Sequence, residues 1–396
     1  MYRRAAKRQP IPVNCSSPKS WVLVLTVWLL AFGTPARAQD IRSPGPSETK
    51  SPAAQEEPAG KGKDRRKADV LIAPVPFSSP SSGPGLAGGV VVFYNPNGGP
   101  QQWITGGGVI WTNRGTKGLG AYHSMSLNQD RFRFNALATY LNAIQRYFGV
   151  GESDGDRGES LELRNKTFET RLHAQIRVFP HGYGGLQYRL MTTNAEPNED
   201  PGRTQPPPQD ELNSTLSMLG PSFAYDARDS QTQPRRGVLL SSSWLFGAKV
   251  LGNSFAHNKL SLSGSAYEPL GTGTVVAANV RICATSGHVP YYDLCMFGSD
   301  NALRGYPSGR YRDRASWAAQ VELRQHIIGR WGGVAFAGLG GIAPSAGDIV
   351  GKGNMLPAGG IGVRYRPFND NDVQVRLDFG LGKDASGIYL GLGEAF

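Results

Sequence analysis

The chain has 396 residues, 39% of them apolar, and carries 42 basic against 31 acidic side chains for a net charge of +11. Six of the basic residues, and no acid, lie in the first 38 positions, so without that stretch the net charge falls to +5. The basic balance belongs mostly to the N-terminus, and it gives no support to a nucleic-acid partner.

In residues 1–38, Arg3, Arg4, Lys7, Arg8 and Lys19 precede the apolar run WVLVLTVWLLAF, and Ala36-Arg37-Ala38 follows it. This is the layout of a secretory signal peptide, cleaved after Ala38. An apolar core of about a dozen residues is too short to cross a bilayer as a helix. No later stretch is a better candidate. Residues 39–67 are rich in Pro, Ser and charge and nearly free of large apolar side chains, which predicts a disordered periplasmic linker.

From Ala68 to Phe396 the chain alternates with a period of two. Phe168, Thr170, Leu172, Ala174, Ile176 and Val178 oppose Glu169, Arg171, His173, Gln175 and Arg177. Val373, Val375, Leu377, Phe379 and Leu381 oppose Gln374, Arg376, Asp378, Gly380 and Gly382 in the segment Asp372 to Lys383. Ile388, Leu390 and Leu392 continue the pattern against Tyr389, Gly391 and Gly393. That is the period of strands. Expected tight turns lie at Asn95–Gly98, Asn128–Asp130, Pro180–Gly182, Pro269–Gly271, Ile328–Arg330 and Phe368–Asp370. Longer polar connections lie near 149–162, 193–212, 284–314 and 342–354.

Short turns on one side and long loops on the other are the build of an all-β transmembrane antiparallel β-barrel with a polar lumen. It has about sixteen strands if Asp69–Ser78 is the first, and fourteen is the alternative. A soluble β-sandwich or propeller has the same period with its faces reversed. The leader, the loop asymmetry and the terminal aromatic Phe396, read as a membrane-targeting residue, favour the outer membrane, with both termini in the periplasm and lipids as surroundings.

Cys15 leaves with the leader, and Cys283 and Cys295 remain. In an oxidising compartment this close pair is expected to form a disulfide, the alternative being two free buried thiols. His123, His173, His257 and His288 are scattered, and neither a GxSxG elbow nor a metal-ligand spacing appears. Neither a cofactor, a metal nor an enzymatic activity is therefore expected.

The segment LRGYPSGRYRD, Leu303 to Asp313, lies in the long connection after Cys283. With FGSDNALRGY before it, QVELRQHI after it, YDARD and PRRG within residues 225–237, and a closing strand ending in Phe396, the chain from about residue 68 resembles the BamA/TamA superfamily of outer-membrane barrels, also called the bacterial surface antigen family. The resemblance implies that Arg304, Gly305 and Tyr306 form the tip of a long loop that folds into the lumen. A guanidinium in a narrow lumen needs a carboxylate partner. Alternation puts Glu322 and Asp378 on the polar faces of later strands, so these two are the candidate partners. The alternative is a solvated Arg304, with Glu322 paired only to neighbouring arginines.

Two features depart from that family. A Phe-x-Asp-x-Gly motif is expected after QVELRQHI, yet Phe336-Ala337-Gly338-Leu339-Gly340 has glycine in place of the acid. The linker of roughly thirty residues is also too short for the periplasmic receptor modules such barrels carry. The resemblance implies assistance in inserting or translocating proteins or lipids, with unfolded outer-membrane proteins or assembly factors as partners. It further implies a weakly paired seam between the first and last strands, which Pro74 and Pro76 would weaken by removing backbone donors. A passive or gated pore and, third, an outer-membrane hydrolase are the alternatives.

Overall fold

The computed structural model describes residues 68–79, 83–198, 204–298, 302–349, 355–366 and 374–396. The expected leader, the expected linker and the turn at 368–370 lie outside the described residues. Sixteen strands form one antiparallel sheet in which each pairs with its neighbour in sequence. They are β1 (Asp69–Ser79), β2 (Gly83–Tyr94), β3 (Trp103–Thr112), β4 (Lys117–Leu127), β5 (Phe132–Tyr147), β6 (Leu161–Phe179), β7 (Gly182–Pro197), β8 (Asn213–Asp226), β9 (Gly237–Gly247), β10 (His257–Pro269) and β11 (Thr274–Gly287). After the long loop follow β14 (Ala315–Ile328), β15 (Trp331–Ala343), β16 (Leu356–Tyr365), β17 (Val375–Gly382) and β18 (Ala385–Leu392). Two short strands, β12 (Cys295–Met296) and β13 (Arg312–Asp313), pair within the loop itself.

The sheet closes on itself as a barrel, with β18 returning to within 8 Å of β1. The count is sixteen and not fourteen because β1 pairs along its whole length with β2, its two prolines notwithstanding. One expected connection is shorter than its polar composition implied. β7 runs on past Thr193 to Pro197, because Ala195 keeps the alternation and is buried against Leu161 and Leu163.

The two faces decide between a soluble sheet and a membrane barrel. Leu377, Phe379 and Leu381 are 44–52% exposed on the outside, whereas Arg376 and Asp378, in the opposite phase of the strand, are buried. Val178 and Ile176 are likewise exposed on β6. Apolar outside and charged inside is the distribution that lipid selects, since a solvated sheet would reverse it.

The tight turns between β4 and β5, β6 and β7, β10 and β11, and β14 and β15 share one end of the barrel, called the turn end here, although the β1–β2, β3–β4 and β17–β18 connections at the other end are also short. The opposite, loop end carries helices α1 (Glu152–Arg157) and α2 (Gln209–Leu212) and the connection 288–314.

Candidate functional site: the lumen loop and its anchors

The tip Leu303-Arg304-Gly305-Tyr306 lies inside the barrel, and Arg304 is fully buried. Its guanidinium donates to Asp378 Oδ2 at 2.5 Å and, through Nη2, to Glu322 Oε1. Its backbone N–H donates to Gln320 Oε1 at 3.3 Å. The guanidinium carbon lies over the Phe336 ring, 3.7 Å from its centroid, a cation–π contact. Glu322 also accepts from Arg324 at 2.8 Å, and Asp378 from Arg364 at 2.5 Å and Arg376 at 3.0 Å. Each carboxylate thus bridges the loop to the wall.

The wall is shaped for this tip. On β17, Asp378 is followed on the same face by Gly380 and Gly382, which have no side chains. A Cβ at Gly382 would lie 2.6 Å from the Tyr306 ring, and one at Gly380 would lie 2.9 Å from the Gly305 nitrogen. Gly305 has φ +129°, a left-handed conformation that disfavours other residues, and its Cα passes so close to the β17 backbone that a Cβ would meet Leu381 at 2.6 Å. The Gly305 N–H donates to Tyr389 Oη at 2.8 Å, and Tyr306 Oη donates to Pro357 O at 2.6 Å. Phe297, Tyr306 and Tyr311 pack edge and face together with Leu303 to form the loop's own small core.

Gly338, which stands where the related barrels are expected to carry an acid, is occupied space. A Cβ there would lie 2.5 Å from the Ala319 carbonyl and 3.1 Å from Leu303 Cδ1. Leu303 lies in the space a side chain at 338 would enter, and the two carboxylates that meet Arg304 are Glu322 and Asp378.

A second anchor was not foreseen from the sequence. Asp293, fully buried in the loop, takes Arg189 Nη1 at 2.5 Å and Lys259 Nζ at 2.9 Å on one oxygen, and His257 Nε2 at 2.9 Å on the other. The loop therefore inserts a cation among carboxylates on the β14–β17 wall and an anion among cations from β7 and β10. The only signal for it was the lumen-face phase of Arg189 and Lys259. Cys283 of β11 and Cys295 of β12 are joined by a disulfide, with a Cα separation of 5.6 Å, which ties the loop to the strand it leaves. Tyr311 donates to Asp156 of α1 at 2.8 Å and Lys383 to the same oxygen at 3.0 Å. Hydrogen bonds from Lys383 and Tyr311 hold the Asp156 carboxyl below its ordinary value.

Phe396 turns into the barrel. Its ring packs on Tyr267, Val275 and Ala277, and its terminal oxygen accepts from Arg324 at 3.0 Å. Among the described residues no group of three or more His, Cys, Asp or Glu side chains is arranged to hold a metal ion.

A family model described as the Omp85 superfamily domain matches residues 93–396. Among solved structures, the chain is similar to BamA from Haemophilus ducreyi lacking POTRA domains 1–3, with TM-score 0.54 and 13% identity over 84% of this chain and 71% of that one. It is also similar to CdiB from Escherichia coli, with TM-score 0.56 and 14% identity over 82% of this chain and 62% of that one. CdiB from Acinetobacter baumannii gives TM-score 0.52 and 12% identity over 82% and 65%. The chain therefore spans less than two thirds of either CdiB, and at these identities the likeness is one of fold. No curated protein matches the sequence.

Proposed function

The chain belongs to the Omp85 superfamily of outer-membrane barrels, and on that premise we propose that it assists insertion or translocation of proteins or lipids at the outer membrane. It does so without bond-breaking chemistry, as a barrel whose lumen is stoppered by its own loop. The loop end faces out and the turn end faces the periplasm. Arg304, Gly305 and Tyr306 lock the loop to Glu322 and Asp378, and the Cys283–Cys295 disulfide limits where the loop enters.

The observation that carries this reading is the seam. β1 and β18 come within 8 Å, yet among the described residues no backbone ladder joins them. β1 contributes Pro74 and Pro76, which have no N–H to donate. An edge with free backbone groups is a template for another strand. In lipid such an edge is costly until something pairs with it. The lock holds Arg304 against β14 and β17, on the seam's side of the barrel, so the loop braces the wall from which a client strand would be handed on.

A photo-crosslinker at outward Ile72 on β1 or Ile388 on β18 tests this in intact cells, with Ile176 on β6 as the control. Newly exported outer-membrane polypeptides should be captured at the two seam positions and not at Ile176. Equal capture at all three, or none at the seam, would overturn the proposal.

A further inference from the structure

Below the lock, at the turn end, the lumen opens into a cavity of about 90 Å³ that is lined mainly by cationic side chains. Five guanidiniums line it, those of Arg235, Arg324, Arg330, Arg364 and Arg366, against the single carboxylate side chain of Glu394. They come from separate segments: the β8–β9 connection, β14, the β14–β15 turn, β16 and the residue just beyond it.

Glu394 is already committed. It accepts from Arg364 Nε at 2.8 Å, lies 3.7 Å from Arg324 Nε, and also accepts from Gln374. Arg235 is held in place by neutral acceptors, the carbonyls of Gly271 and Thr272 at 3.5 and 2.8 Å. Arg366 donates to the His326 ring at 3.2 Å, a contact that requires a neutral Nδ1. Among the described residues no carboxylate pairs with Arg235 or Arg366.

Deeper in the wall, Arg324 and Arg364 also pair with Glu322 and Asp378, their side chains are only 7% and 4% exposed, and each keeps one nitrogen, Nη1 and Nη2 respectively, buried without a hydrogen-bond partner. An unpartnered buried donor on a cation is costly, and cations without a carboxylate partner at the mouth of a concave wall, here Arg235 and Arg366, attract an anion.

We propose that this cavity is a binding site for a phosphate group. Guanidiniums supplied by five separate segments suit a tetrahedral oxyanion with acceptors on every side, whereas a carboxylate presents one edge. The cavity has room for such a group together with water. Its position at the rim fits two sources of the same chemistry, the headgroup of a phospholipid in the adjoining leaflet or a free phosphate.

The full chain, purified in a maltoside detergent, is titrated with inorganic phosphate and, separately, with phosphatidylglycerol against diacylglycerol, which lacks the phosphate. Saturable one-to-one binding is expected for at least one phosphate-bearing ligand and for diacylglycerol not at all. Binding of the lipid alone identifies a headgroup site, and binding of free phosphate identifies a soluble ligand. Arg235→Gln with Arg366→Gln should weaken it at least tenfold, while Arg235→Lys with Arg366→Lys retains most of it. Arg235 lies on an exposed connection, so Arg235→Gln alone, with a severalfold weaker affinity, serves if the double variant loses its barrel. No binding of either ligand to the wild type, or equal binding in a glutamine variant that remains a folded barrel, would overturn the proposal.

Discussion

Arg304 and Asp378 are 74 residues apart in sequence, yet the guanidinium of one donates to the carboxylate of the other at 2.5 Å, with both side chains fully buried. The pair joins the tip of a surface loop to the penultimate strand. Removing the cation leaves Asp378 with Arg364 and Arg376, but it leaves Glu322 with Arg324 alone. Truncating one member of a buried pair costs about 3–5 kcal/mol, less where water enters the lumen. Arg304→Ala is expected to free the loop and leave the barrel intact. Protease cleavage within 307–314 in whole cells should rise, with the heat-dependent shift in gel mobility unchanged.

Asp293 offers an independent release. Its three partners share none of Arg304's contacts, so the two anchors should contribute nearly additively. Asp293→Ala leaves Lys259 and His257 without their carboxylate and Arg189 with Glu169 alone, and a loss of about 3–5 kcal/mol is expected from the same argument. Hydrogen exchange should show residues 288–298 loosening first in Asp293→Ala and the 303–311 tip first in Arg304→Ala. The double variant should loosen both.

Restoring the acid that the related barrels are expected to carry should harm this one. At Gly338 even a methyl group would press on the Ala319 carbonyl, which is backbone and cannot swing away. Gly338→Ala and Gly338→Asp are each expected to destabilise by about 1–3 kcal/mol, the usual cost of overpacking. The temperature of the heat-modifiable transition should fall, further for the aspartate. An unchanged transition in Gly338→Asp would show that Leu303 does not fill that space.

The disulfide closes a loop of 12 residues, for which chain entropy gives about 3 kcal/mol. Alkylation of the denatured, unreduced protein should leave Cys283 and Cys295 unmodified, and both should react after reduction. Reduction in the native protein is expected to raise loop cleavage without unfolding the barrel, because the Arg304 and Asp293 anchors remain.

The barrel was legible because its alternation is long and regular. Leu377, Phe379 and Leu381 keep one phase across β17, and the short turns at 128–130 and 180–182 punctuate it. Periodicity cannot say which face meets lipid, and the exposure of those side chains decided it. Glu322 and Asp378 were readable as lumen residues by phase alone, and the structure places both against Arg304. Asp293 was not readable, because 288–298 has no period and its partners lie on strands some 35 and 100 positions away. Phe336 was read only as part of an incomplete motif, since a sequence does not tell that its ring lies under a guanidinium. The inward turn of Phe396 follows from Gly393, whose φ of +73° redirects the tail, a bend no alternation announces.

The most direct test of the proposed activity is insertion of an unfolded outer-membrane barrel into vesicles that contain the purified chain, followed by its heat-dependent mobility shift. The account predicts faster appearance of the folded client than in empty vesicles, with little ion conductance through the wild-type lumen because the loop fills it. No acceleration, together with steady conductance through an open lumen, would contradict it and leave a pore.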